Sequence, residues 1–477
     1  MPRVTIPNNQ RETHPLSLRD PAGLLFRWND RLLREVAPDY CSDFMKLWSS
    51  GLIQALSKEG LIPSCELTEF CTERGGIVIE HEEIKYVTYP IEWSFSMLRD
   101  AGEHTLRVNA FAARFGYELK DAHSYNIVFQ GVLPRFVDIG SFTLRTKGAF
   151  GWRAEAQFRA SFLNILRLWS LGGAYVARRL MVGGEVISEL DCFRLLSCIG
   201  RLMPGAIQLR YRRWKDRFAA LYWMSDAQLL EKGGRCLGAF VVAARRRRWG
   251  SFRLDRERVL SRKLHRVRPP SEKTPWSGYH QNFRQGLITP RVERIVGFVR
   301  SLNVRSVLDV ACNEGEFSFR FLKEAGVGHV VALDADPKAL DRLYEIAKDS
   351  RLNVTPVLSD AVVPLLSVMG DAQAKRWKVD AVVALAISHH LLLSQEYSVD
   401  VVLKRLTGFS RRHLLVEFMP LGLWNGTSAP PVPEWYRLEW FRASFSRWCS
   451  DIVEIELEKN RILFAGIVRG ELQNQNS

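Results

Sequence analysis

Cysteine is scarce in this chain, with eight in 477 residues, and no two of them form a C-x-x-C pair. Scattered thiols of this kind argue against a zinc site and a disulfide framework, and for reduced thiols in a cytoplasm. Long apolar runs are missing too. The longest candidate, Leu237 to Ala244, falls well short of the roughly 18 residues of a membrane span and runs into Arg245-Arg246-Arg247-Arg248. The first twenty residues are polar and lack an apolar signal core, so the expectation is against secretion. No internal repeat or low-complexity tract occurs. Acidic residues are outnumbered, 52 against 67 Lys and Arg, for a net charge of +15. Between Arg201 and Arg268, 19 basic residues face 5 acidic ones, so most of the excess lies there. Three readings of that segment stay open: a solvated helical face, a surface for anionic lipid, and a nucleic-acid contact through Arg245–Arg248. A hydrophobic fraction of 47% supports real cores, and the length suggests two or three domains.

Glycine is short where a phosphate-cradling loop would need it. Val307-Leu308-Asp309-Val310 is an apolar strand with one carboxylate, followed by Ala311-Cys312-Asn313-Glu314-Gly315 and then Val330-Val331-Ala332-Leu333-Asp334. Strand, tight loop, helix and second strand ending in an acid is the plan of a nucleotide-type cofactor site. There the backbone approaches the ligand and the acid accepts ribose hydroxyl protons. Only Gly315 remains of three expected glycines. Ala311 still permits close approach, and Asn313 is the non-glycine residue best suited to positive φ. Asp336-Pro337 reads as an N-cap and first helical position. Val354–Leu358, Val379–Leu385 and Leu414–Val416 read as further strands, the last with Glu417 at its tip. Residues 452–458 and 461–468 read as a hairpin around Lys459-Asn460. Strands alternating with helices make a doubly wound α/β sheet.

The D-x-A-x-N-x-G loop and the elements after it resemble class I S-adenosylmethionine (SAM) methyltransferases, with a relaxed first motif. The resemblance implies a Rossmann-like sheet with a terminal antiparallel hairpin. It implies SAM as cofactor, held by Asp309, Ala311, Asn313, Gly315 and Asp334, with Asp360 meeting the adenine amino group. Trp276 and Tyr279, ahead of the domain, would close over the cofactor with an aromatic face toward the sulfonium, or simply pack the linker onto the sheet. His389 and His390 fall where the fourth strand opens toward the methyl. One of them is a candidate base, or else the pair caps the strand. Glu417 would orient an acceptor hydroxyl or a histidine, or be a solvated strand end.

In the N-terminal half, Asp121 and Asn126 lie five apart and Asp138 follows in D-I-G. This resembles the catalytic loop and D-F-G element of protein kinases and small-molecule phosphotransferases, where such an Asn and second Asp hold magnesium. Turn chemistry explains Asp121 and Asn126 equally well. No glycine-rich loop precedes them, and nothing marks Lys85, in an expected hairpin over 77–89, as a nucleotide lysine. The expected organisation is an α+β, possibly kinase-like region (1–145), a basic helical region (146–268), and a SAM-dependent methyltransferase domain (269–477). Pro90-Ile91-Glu92-Trp93-Ser94-Phe95-Ser96, the Leu119–Phe142 segment and Thr274–Tyr279 together resemble methyltransferases similar to the host-specificity nodulation proteins of rhizobia. That implies a small-molecule or glycan acceptor, in one case a lipochitooligosaccharide. The alternatives are a bifunctional or kinase-like phosphotransferase or scaffold binding ATP, and a methyltransferase bound to RNA or a membrane surface.

Overall fold

The structure, a computed structural model, describes residues 4–470 except 15–16, 18–21, 147–151, 172, 183–186, 189–190, 193–194, 196–255, 272–273, 275–288, 364–371 and 425–426. The described chain divides into two compact units. One comprises 1–84, 98–128 and 134–270, and the other 85–97, 129–133 and 271–477.

The second unit is a seven-stranded sheet. Its strands are β1 (Ser306–Val310), β2 (His329–Asp334), β3 (Val354–Leu358), β4 (Val379–Ala384), β5 (Ser410–Phe418), β6 (Cys449–Glu458) and β7 (Arg461–Val468). Their order is β3-β2-β1-β4-β5-β7-β6. The first five run parallel and β7 enters antiparallel beside β5. The parallel strands are mostly apolar and largely buried, with polar residues such as Asp309, Asp334 and Asp380 set among them, as expected of strands covered on both faces. Helix starts follow local chemistry. Thr289 accepts a hydrogen bond from Val292 N, with Pro290 in the first turn. Asp336 accepts from Lys338 N and Ala339 N to open Pro337–Asp349. The core beside β5 is aromatic: Phe418 stacks on Phe441 at 4.5 Å, and Phe464 meets Phe441 edge-on.

A piece of the N-terminal half belongs to this unit. Glu92, 1% exposed, accepts two hydrogen bonds from the Arg376 guanidinium, at 2.6 and 2.9 Å. That guanidinium also lies over the rings of Tyr89 and Trp377. Asp341 accepts from Ser96 N and Oγ, at 2.7 and 3.0 Å. Trp93 is fully buried and meets Phe129 edge-on, which in turn meets Tyr344. The Pro90–Ser96 motif is therefore a docking strap for the sheet's own helices.

The first unit contains a six-stranded sheet in the order 4–6, 65–72, 77–81, 31–36, 23–28, 12–13. It closes on Ile6, Phe26, Leu33 and Val78. The strand Ile77–His81 pairs with a neighbour on each side and stops at His81. The hairpin expected over 77–89 is not formed, and Lys85 lies in no strand. Tyr117–Leu119 pairs antiparallel with Phe142–Leu144 around the Asp121–Asp138 segment. Within 146–268, Phe162 and Trp169 are buried core residues. Arg245–Arg248 lie outside the described residues. No helix among the described residues is long and apolar enough to cross a membrane.

Candidate active site

The register brings the expected residues to one edge. Leu333, Val310, Ala384 and Val416 form a row across β2, β1, β4 and β5. The next residues along the chain are Asp334, Ala311, Leu385 and Glu417, at the carboxyl ends where open parallel sheets bind ligands.

The loop after β1 takes the left-handed conformation at alternate residues: Ala311 (φ 58°), Asn313 (φ 51°) and Gly315 (φ 88°). The three positions where the motif expects glycine thus keep a glycine backbone although only one is glycine. At Gly315 a Cβ would also come within 2.8 Å of Leu343 Cδ1 and 2.9 Å of Phe319 Cζ, so those side chains would have to shift to admit one. Asp334 fixes the turn. Its Oδ2 accepts from Asn313 N and its Oδ1 from Asp336 N, both at 2.7 Å. Each oxygen keeps a lone pair, which is what two ribose hydroxyls require. Burial pushes the Asp334 carboxyl up to about 6 against the pull of those N–H donors. Asp309 turns away from the loop to accept from Ser318 Oγ at 2.6 Å. Burial pushes its carboxyl up to about 7, Ser318 opposing and the Asp334 charge adding. Asp360, just past β3, spends Oδ1 on Val362 N and Val363 N. Trp276 and Tyr279 lie outside the described residues.

Glu417 is not a solvated strand end. It lies within β5, fully buried, and its carboxylate is saturated. Arg291 Nε and Nη2 donate at 2.8 and 2.9 Å, Arg461 Nη1 at 2.9 Å and Ala386 N at 2.7 Å. Burial alone would raise this carboxyl, but Arg291, Arg461 and the Ala386 N–H outweigh it and hold it below the usual range. It is a fixed anion and is not free to take a proton. Its backbone carbonyl accepts from Ser388 Oγ at 2.6 Å, which anchors the turn carrying the two histidines. Their rings lie 4.2 Å apart. His389 is buried with Nδ1 unpartnered, and its pKa drops to about 3 through burial, then His390, then Arg461. His390 is more open, with a pKa lowered by burial. Arg291, Arg461 and Ser318 were missed by sequence reasoning. Only the register of distant elements brings them here, and nothing local distinguishes two arginines in a basic chain.

In the first unit, Asn126 Nδ2 donates to Asp121 O and Ser141 Oγ. Ser141 Oγ in turn donates to Asp138 Oδ2. The three sequence-selected residues therefore converge. Asp121 Oδ1 accepts from His123 N in a two-residue turn. Asp138 also accepts from Gly140 N and from Arg34, at 3.1 Å each. An arginine on that carboxylate competes directly with a divalent cation. Among the described residues no group of three or more His, Cys, Asp or Glu is arranged to hold a metal.

A family model described as a methyltransferase domain matches residues 307–403, the stretch that carries this edge. The chain carries a class I SAM-dependent methyltransferase domain. The enzyme is therefore a SAM-dependent methyltransferase, with S-adenosyl-L-methionine as its cofactor. Nodulation protein NoeA of Rhizobium meliloti (strain 1021) is similar at 26% identity over 418 residues, covering 85% of this chain and 84% of its own. Two solved structures share parts of the shape. A Pyrococcus horikoshii protein is 16% identical, with 41% of this chain and 94% of that one covered and a TM-score of 0.32. A SAM-dependent methyltransferase from Aquifex aeolicus is 17% identical, with 41% and 100% covered and a TM-score of 0.30. The fold itself is carried by the strand order given above.

Proposed function

We propose that this methyltransferase acts on a hydroxyl of a small-molecule or glycan acceptor, a nodulation-type lipochitooligosaccharide being the specific case. Similarity to a protein named for nodulation, over most of both chains, supports that class. The observation that carries the reading is the Asp334 carboxylate, pinned by two backbone N–H groups beside three left-handed loop residues.

When bound, SAM supplies an activated methyl group on a sulfonium with its own leaving group. The protein's work is alignment, worth about 7–11 kcal/mol at best. Asp334 receives the ribose hydroxyls, and the loop backbone at 311–315 lets the ligand approach. A hydroxyl acceptor must also lose its proton. His390 takes it, being neutral near pH 7 and more accessible than its neighbour. Nucleophilicity then builds on the acceptor oxygen while the proton sits on the imidazole. His389, with its basicity suppressed, orients the acceptor through a neutral ring. Glu417 is a positioning residue that holds Ala386 and, through its carbonyl, Ser388.

A phosphotransferase reading of the first unit is less favoured, because Asp138 is already paired with Arg34. A scaffold role suits it better. Cytoplasmic residence and an anionic surface or nucleic-acid partner at Arg245–Arg248 stay with the sequence-based reading.

Titration calorimetry with SAM on wild type and on Asp334→Ala tests the central reading. Saturable binding lost in the variant is the expected result. Equal binding by both, or none by a folded wild type, would overturn the assignment of the site.

A further inference from the structure

A cavity of about 690 Å³ lies between segments that follow two of the edge strands, in the size range of small-molecule sites. It is built by the segments that follow β4 and β5. Leu392 and Leu393 form one wall, from the π-helical turn His390–Ser394 that begins at the proposed base. Val432 and Trp435 form another, from the proline-rich stretch beyond β5, with Trp440 behind them. Trp435 and Trp440 meet edge-on at 4.8 Å, and Trp435 stays 46% exposed. Leu421 and Val432, from the same stretch, are also exposed. The two walls close over Gly422, where a Cβ would lie 2.8 Å from both Leu393 Cδ1 and Val432 Cγ1. The polar side chains in the lining are Glu396, Tyr397 and Ser398, beside the two tryptophan indoles. Ser398 Oγ is already engaged, capping the helix Val399–Gly408 through Val401 N.

We infer that this cavity binds the hydrocarbon part of an amphiphilic methyl acceptor, whose polar portion reaches the His390 end of the π-helical turn. The inference rests on reading this edge as the acceptor side. A sugar ring is held mainly by hydrogen bonds, and the larger part of these walls is apolar: Leu392, Leu393, Val399, Leu423, Val432 and three prolines. A hydrocarbon chain needs only apolar walls and exclusion of water, and gains free energy with each methylene buried. The turn His390–Ser394 carries the candidate base at its first residue and two of the cavity's lining residues, Leu392 and Leu393, at its third and fourth. Trp435 and Val432, which line the cavity and are also exposed, are the surface that such a chain would cover.

Calorimetry with monomeric dodecyl maltoside, and with maltose, tests this on the full chain. Wild type is expected to bind the alkyl glycoside saturably and to ignore maltose. Val432→Glu, which sets a charge at the partly exposed mouth, is expected to weaken binding about tenfold or more. Trp435→Ala is expected to weaken it less, and both variants to keep wild-type SAM affinity, which shows that they are folded. Equal binding of maltose would make this a carbohydrate site. Alkyl binding indifferent to both variants would place it elsewhere. No alkyl binding, with SAM binding intact, would remove the cavity from the acceptor site. Each of these three results overturns the inference. Loss of SAM binding in wild type would instead strike the cofactor assignment and leave the alkyl measurement readable by itself.

Discussion

Arg291 grips Glu417 with a two-pronged ion pair, Nε to Oε1 at 2.8 Å and Nη2 to Oε2 at 2.9 Å, across 126 residues of sequence. The helix ahead of the sheet is thereby tied to the fifth strand at the ligand edge. Arg461, on the last strand, takes the same carboxylate. One buried anion thus holds two cations and the N–H of Ala386, and through its backbone the histidine turn. The arrangement saves Glu417 from being an uncompensated buried charge and removes it from proton transfer.

Neutralising that anion leaves Arg291 without its carboxylate and Arg461 with Glu458, at 3.5 Å, in its place. Glu417→Gln is therefore expected to destabilise the enzyme by about 3–5 kcal/mol, as when one partner of a buried pair is lost. Arg461→Ala should cost less, because Arg291 still satisfies the carboxylate. Urea unfolding of the two variants ranks them. A Glu417→Gln variant as stable as wild type would mean that the pair contributes nothing.

Ala311 holds a left-handed backbone that costs an alanine about 1–2 kcal/mol. Ala311→Gly removes that strain and adds unfolded-state entropy worth about 0.4–1 kcal/mol. The net expectation is a small stabilisation, read as a raised thermal midpoint, with SAM binding retained. A fall of several degrees would show that the alanine methyl makes contacts outweighing the strain.

Asp309 and Asp334 make the unliganded domain sensitive to pH. Both folded values lie above the ordinary 3.8, at about 7 and about 6, with burial as the main cause. A raised acid favours the folded state while protonated. That contribution is complete below about pH 4 and is lost as pH rises through 6 and 7. Glu417 works in the opposite sense: its contribution is complete above about pH 4.5 and is lost as pH falls from there through its depressed value. Between pH 5 and 8 the midpoint without SAM is expected to fall, and Asp309→Asn should flatten the fall while still accepting from Ser318. SAM affinity should run the other way, rising as Asp334 ionises. A flat stability profile in wild type would contradict the burial of both acids.

Much of this edge was legible because its signals are local. Asp336-Pro337 fixes a helix start within two residues, Asn313 announces a positive-φ turn, and apolar runs without alternation mark doubly covered strands. The environment of Glu417 was not legible. A glutamate after Leu-Leu-Val reads as a strand tip, whereas the strand continues to Phe418 and its partners come from Arg291 and Arg461. The Pro90–Ser96 strap was equally hidden, since Arg376 and Asp341 lie more than 240 residues away.

The two histidines are adjacent in sequence but differ in what they can do. His389 is buried against His390 and faces the positive charge of Arg461, so its imidazole stays neutral down to about pH 3. Its ionisation therefore cannot shape a rate profile in the range where enzymes are assayed. His390 is more open, and its pKa falls below 6.5 through burial alone. If His390 removes the acceptor proton, kcat/KM rises with pH through that value and levels off by neutrality. His390→Ala is then expected to lower kcat by about 10²–10⁴ and to abolish the acid limb. His389→Ala is expected to raise KM for the acceptor and leave the limb in place. Because both profiles come from the same assay, a limb that survives in His390→Ala and disappears in His389→Ala would exchange the two roles. A limb that survives in both would assign the proton to solvent or to the acceptor itself.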